Sequence, residues 1–183
     1  MIDKHNLSTI SGKRFNPTKA KIGDIFIEDI AHALSLICRA NGHFNLFYSI
    51  AQHSINCAKE AEARGYSKEV QLACLMHDAS EAYIGDVISP LKRQLSDYVV
   101  YEKNLQNTIL KALKLPALTP AEEKLVKEID DCLLYHEFKT LHGDELFDYV
   151  PDIHIMVENT EVHHSVIEAQ FLYLYYHYFS ALG

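Results

Sequence analysis

Leu72-Ala73-Cys74-Leu75-Met76-His77-Asp78-Ala79-Ser80-Glu81-Ala82-Tyr83-Ile84-Gly85-Asp86 is the stretch around which this chain is organised. Five apolar residues run directly into a histidine and an aspartate, a glutamate follows three positions later, and Gly85-Asp86 breaks the pattern. Burying an imidazole and carboxylates beside an apolar run is costly unless a partner or a metal compensates them. The stretch therefore reads as the middle of a metal site whose other ligands lie elsewhere in the chain.

Working outward, apolar residues recur at helical spacing almost everywhere. Ile27, Ile30, Ala31, Leu34, Ile37 and Cys38 predict a first helix from Ile25, with Glu28 and Asp29 at its start and Gly42 as its stop. A second helix is expected from Phe47 to Arg64, closed by Gly65. Ser67 caps a third, which carries the opening stretch and ends near Gly85. Ser89-Pro90 starts a fourth that continues to Leu113. Thr119-Pro120-Ala121-Glu122 is a capping box opening a fifth that reaches Leu141. After a connection over 143–160, a last helix runs from Val162 to Ala181. Residues 1–23 are irregular, with a turn or short hairpin over Ser11 to Pro17. The expectation is an all-α, single-domain chain of about six helices, with its core over 25–142 and an aromatic C-terminal helix over 162–181.

At 183 residues, 48% apolar and 23% charged, the chain is long enough to bury a core unaided. A formal charge of −8 disfavours nucleic-acid polymers, which need a broad basic surface, and leaves small anions open as ligands. Cys38, Cys57, Cys74 and Cys132 form no CxxC pair, so they read as buried free thiols of a reducing compartment. No signal-peptide core and no span-length apolar run are present, so a cytoplasmic protein without a membrane partner is expected. Phe171 to Phe179 is aromatic on nearly every face, and a helix of that kind seeks two neighbours. The bland reading is that it caps the core; the sharper one is that its second face is buried against another subunit, giving a homo-oligomer.

His53 lies one helix before His77-Asp78, and Asp130-Asp131 two helices after. Imidazole plus carboxylate ligands suit divalent transition metals. The order H…HD…D on successive helices resembles the HD-domain metal-dependent phosphohydrolases. His77-Asp78-x-x-Glu81-x-x-x-x-Asp86, with Ser89-Pro90-Leu91-Lys92 nearby, is similar to their bacterial 5′-deoxynucleotidase branch. Phage enzymes that remove triphosphate from deoxyadenosine triphosphate share the pattern. The resemblance implies an HD-type helical bundle around a divalent metal (zinc, cobalt, manganese, magnesium or iron) held by His53, His77, Asp78 and Asp130. Asp130 fits the family spacing with Leu133, Leu134 and Glu137, while Asp131 points about 100° away on the helix. Glu81 is implied to orient or deprotonate the attacking water, with Asp86 a second catalytic carboxylate.

In that branch an arginine followed by tryptophan contacts phosphate and sugar. This chain has no tryptophan, and Arg39 is the nearest equivalent, with Lys92 a further phosphate candidate. The implied substrate is a small anionic deoxynucleotide. Monophosphate hydrolysis is the simplest activity, triphosphate release the alternative, and nucleotide sensing without turnover the rival from another class. No GxxxxGK[ST] loop is present, so nucleotide binding falls to the metal and these cations.

Overall fold

The computed structural model describes residues 4–182. The fold is all-α, with eight α-helical segments among the described residues: α1 (Ile27–Leu36), α2 (Ile50–Ala63), α3 (Lys68–Met76), α4 (Glu81–Ile84), α5 (Ser89–Lys92), α6 (Ser96–Ala112), α7 (Pro120–Leu141) and α8 (His164–Ser180). The two helices beyond six arise because two expected helices are each split. The span from Ser67 to Gly85 breaks after Met76, and the span from Ser89 to Leu113 breaks after Lys92. Ile88, not Ser89, is the N-cap of α5.

Local chemistry accounts for the starts. Ser49 accepts from Gln52 N–H, Ser67 from Val70 N–H, and Thr119 forms the expected box with Glu122. A two-stranded hairpin, β1 (Leu7–Ser8) with β2 (Arg14–Phe15), covers α1. It is pinned where the buried Asp29 accepts from Ser11 N–H at 2.9 Å and Ser11 Oγ at 2.8 Å.

The first helix stops at Leu36 rather than Gly42. Ile37 and Cys38 turn extended, and Cys38 pairs with Ser49. Arg39 N–H then donates to Tyr48 C=O at 2.8 Å, while Ala40, Asn41 and Gly42 all have positive φ. Holding a non-glycine residue such as Ala40 in that region costs on the order of 1–3 kcal/mol. The distortion carries Arg39 off the helix axis.

α2 is the central element, packing on α1, α3, α7 and α8. Its Ile50 and Ile55 share one core cluster with Ile30, Leu34, Leu72, Leu75, Leu133 and Phe171. α8 buries Ile167, Phe171, Leu174, Tyr175 and Tyr178, but leaves Val166, Tyr173 and Tyr176 exposed. The connection after α7 is tied down: Glu60 of α2 accepts from the backbone N–H groups of His154 and Ile155 and from Arg64 Nε. The four cysteines are free; Cys57, Cys74 and Cys132 are buried and Cys38 is half-buried. Among the described residues, no helix is long and apolar enough to cross a membrane.

Candidate metal centre

His53 sits in the first turn of α2, fully buried, with Nδ1 2.8 Å from Glu137 Oε1 on α7. A carboxylate accepts, so Nδ1 carries the proton and Nε2 presents a lone pair. His77 follows the last residue of α3, and its Nδ1 lies 2.8 Å from Cys74 C=O. The same logic puts a proton on its Nδ1 and turns its Nε2 into the site, where it holds either a second proton or a metal ion. The two Nε2 atoms face each other at 3.3 Å.

Two carboxylates close on the same point. Asp130 Oδ1 is 3.2 Å from His53 Nε2 and 3.7 Å from His77 Nε2. Asp78 Oδ2 is 3.1 Å from His77 Nε2 and 3.9 Å from His53 Nε2. Four electron-pair donors converging in this way repel one another unless a cation sits among them. Burial opposes a charge on His77, yet Asp78 and Asp130 outweigh it and raise its proton affinity well above the usual imidazole range. Burial likewise opposes ionisation of Asp78 and Asp130. The imidazoles overcome it and hold both carboxyls far below their ordinary values. All four ligand candidates read from the sequence are brought together, and Asp131 instead pairs with Lys127 at 2.6 Å on the rim.

His53, Cys57 and His77 also offer ligand atoms within 4.8 Å of one another, a group able to hold a metal ion. Cys57 Sγ lies 3.5 Å from His53 Nε2 and 3.9 Å from its Nδ1. Near-equal distances put the sulfur to one side of the Nε2 lone pair, not along it. Burial first, then the charges of Asp130 and Glu137, push the thiol well above its usual range, away from the thiolate a metal requires. The carboxylates are the better-aimed partners for the two imidazoles.

Arg39 lies inside the site rather than in a surface ion pair. Its Nε donates to Glu137 Oε2 at 2.9 Å. Its two terminal nitrogens stand 3.7 Å from Asp78 and 3.8 Å from Asp130, outside hydrogen-bonding distance. Glu137, fully buried, thus holds Arg39 and His53 at once and also accepts from Tyr48 at 2.9 Å. Burial disfavours its charge, but His53 and Arg39 prevail and keep its carboxyl below the ordinary value. Glu137 and Tyr48 escaped assignment from sequence. Glu137 was legible only as a residue one face along α7 from Asp130.

A cleft of about 430 Å³ opens over these groups, lined among others by Arg39, Asp78, Glu81, Asp86, Lys92 and Asp130. Glu81, at the start of α4, is buried, and its Oε2 has no hydrogen-bond partner among the described residues. Burial, then Asp78 and Asp86, raise its pKa to about 9, with Lys92 Nζ 3.8 Å from Oε1 opposing them. Asp86 is half-buried and raised chiefly by burial. Lys92 donates to Glu102 at 2.7 Å. Lys127, on the same cleft and not singled out from sequence, donates to Asp130 Oδ2 at 2.9 Å. The arrangement can hold a cation at its floor, accept a proton at Glu81 and meet an anion with three cationic side chains.

No family model matches the chain. It is 36% identical over 156 residues to the uncharacterized protein YfdR of Escherichia coli (strain K12), a span of 79% of this chain and 85% of YfdR. It is also 37% identical over 121 residues to an uncharacterized protein of Rhodobacter capsulatus, covering 63% of this chain and 61% of that protein's length. By the extent of the first match, this chain belongs to the same protein family as YfdR.

Proposed function

We propose that the protein is a metal-dependent phosphohydrolase acting on deoxynucleotides, most simply a 5′-deoxynucleotidase that releases phosphate from a deoxynucleoside monophosphate. The observation that carries this reading is the pair of Nε2 atoms 3.3 Å apart, flanked by Asp78 and Asp130, which line a cleft edged with cations. The reaction class and the sugar follow the likeness of His53, His77-Asp78, Glu81, Asp86 and Asp130 to the HD phosphohydrolases.

His53, His77, Asp78 and Asp130 would hold a divalent ion such as zinc, cobalt, manganese, magnesium or iron. Nitrogen and oxygen donors of this mixture suit the transition metals of that set best. Bound there, the ion supplies Lewis acidity and a water of lowered pKa. Glu81 would accept the proton of the attacking water at its unpartnered Oε2, because the charge of a bound ion offsets Asp78 and lowers its pKa from the metal-free value of about 9. Arg39, oriented through Nε by Glu137, turns its terminal nitrogens to the phosphate oxygens. Lys92 neutralises charge gathering on the phosphate, and Asp86 orients the substrate or the water beside Glu81.

Release of triphosphate from a deoxynucleoside triphosphate is the second reading. The added cation Lys127 on the cleft favours it. The test is incubation of metal-loaded protein with deoxynucleoside mono- and triphosphates, with phosphate, pyrophosphate and triphosphate identified separately. Phosphate from the monophosphate is the expected product. Turnover of neither class, with nucleotide still bound, would leave a sensing module instead.

A further inference from the structure

An unbroken helix from Lys68 to Ile84 would require Ser80 N–H to donate to Met76 C=O, four residues back. Both groups are instead taken by one side chain from α6. Gln106 Oε1 accepts from Ser80 N–H at 3.0 Å, and Gln106 Nε2 donates to Met76 C=O at 2.7 Å. A primary amide has therefore been inserted into a single rung of the ladder, one of the recognised causes of an opened helix. The backbone responds with tight turns, in which Ala79 N–H donates to Met76 C=O, Glu81 N–H to Asp78 C=O and Tyr83 N–H to Ser80 C=O. Farther along, Tyr98 of α6 donates to Gly85 C=O at 2.8 Å, so α6 also holds the end of α4.

The opened rung spans Met76 to Ser80, and His77 and Asp78 lie within it. On a regular helix neighbouring side chains diverge by about 100°. Here His77 Nε2 and Asp78 Oδ2 meet at 3.1 Å. We propose that Gln106 is a positioning residue of the metal centre, whose amide holds the helix open so that two adjacent residues can serve one ion. The inference rests on the metal reading above. The chemistry of the position is narrow, since one planar group must both accept and donate. Glutamate offers acceptors only when ionised, asparagine is a methylene shorter, and leucine offers neither function. Gln106 also lines a cavity of about 360 Å³ together with His77, so a changed side chain meets free space rather than packed core.

The experiment is titration of metal-stripped full-length protein with Co²⁺, for wild type, Gln106→Leu and Gln106→Glu. Dissociation constant, visible Co²⁺ spectrum and thermal unfolding of the metal-free form are read together. Supporting groups around metal ligands typically govern affinity by about 10–100-fold. Gln106→Leu is expected to bind Co²⁺ more weakly by that factor with a changed spectrum. Its metal-free form should melt no lower than wild type, because Ser80 and Met76 can close their own rung. Gln106→Glu, which keeps the acceptor for Ser80, should fall between the two. An unchanged dissociation constant and spectrum in Gln106→Leu would overturn the inference and leave Gln106 a simple staple. So would a metal-free form that melts lower while the spectrum stays the same. Wild-type protein that took up no Co²⁺ would remove the metal reading itself, a separable outcome.

Discussion

Glu137 connects three functions through one carboxylate: it fixes the protonation of His53, orients Arg39 and satisfies Tyr48. Glu137→Gln keeps the shape but can no longer accept at both oxygens. Metal affinity is expected to fall by about 10–100-fold, measured by competition with a chromogenic chelator. Asp78→Ala should lose metal and activity together. Glu81→Gln should retain stoichiometric metal while kcat drops by about 10²–10⁴-fold. An unimpaired rate in Glu81→Gln would refute its part as proton acceptor. Much of this site was legible at the level of residue identity. His77-Asp78, His53 and Asp130 announce themselves as donors in apolar helical contexts. Glu137 did not, because a glutamate on a helix face reads as solvated until the imidazole 84 residues away is seen against it.

Among the elements, the helix starts at Ser67 and Thr119 follow from residues within three positions of each cap, while the second helix starts at Ile50, capped by Ser49, and not at the expected Phe47. The interruptions were not legible in the same way. The break after Met76 depends on an amide 26 residues away, and the early stop of α1 on a bridge to Ser49. The connection after α7 reads as loose in sequence, yet Glu60 anchors it. Burial alone would raise the Glu60 pKa, but its bonds to Arg64 and His154 more than offset this and bring it below its ordinary 4.5. A carboxyl depressed in the folded state stabilises it fully above the unfolded value and loses that contribution as pH falls through the folded value. Replacing Glu60 with Gln is expected to cost about 1–3 kcal/mol at pH 7. Chemical denaturation should show the gap between the two proteins narrowing below pH 4.5. A gap independent of pH would place the stabilisation in packing alone.

For the whole molecule, α2, α4, α5 and α7, the turn after α3 and the connections that carry Arg39 and Asp86 supply the groups around the cleft, so occupancy of the centre should stabilise the assembly as a unit. Metal at a hundredfold excess over its dissociation constant adds about 2.7 kcal/mol by mass action. Chelation is therefore expected to lower Tm by several degrees in calorimetry, and re-addition to restore it. The exposed Val166, Tyr173 and Tyr176 on α8 fit the homo-oligomer expected from its aromatic sequence. Light scattering should report more than the 20.9 kDa monomer, with Tyr173→Glu shifting the mass back toward it.

The amino-acid sequence by itself determined the all-α class, most helix starts and the identities of the converging donors. The class and the starts rest on periodicity and caps, whereas the donors are named by the likeness of the H…HD…D order to the HD-domain phosphohydrolases. Only the tertiary structure decided that the donors meet within 4 Å, that Arg39 leaves its helix to join them, and that Glu137 and Gln106 set their directions. The reason is one of range. Each of these outcomes depends on a hydrogen bond between residues far apart in the chain, whose partner no local pattern can name.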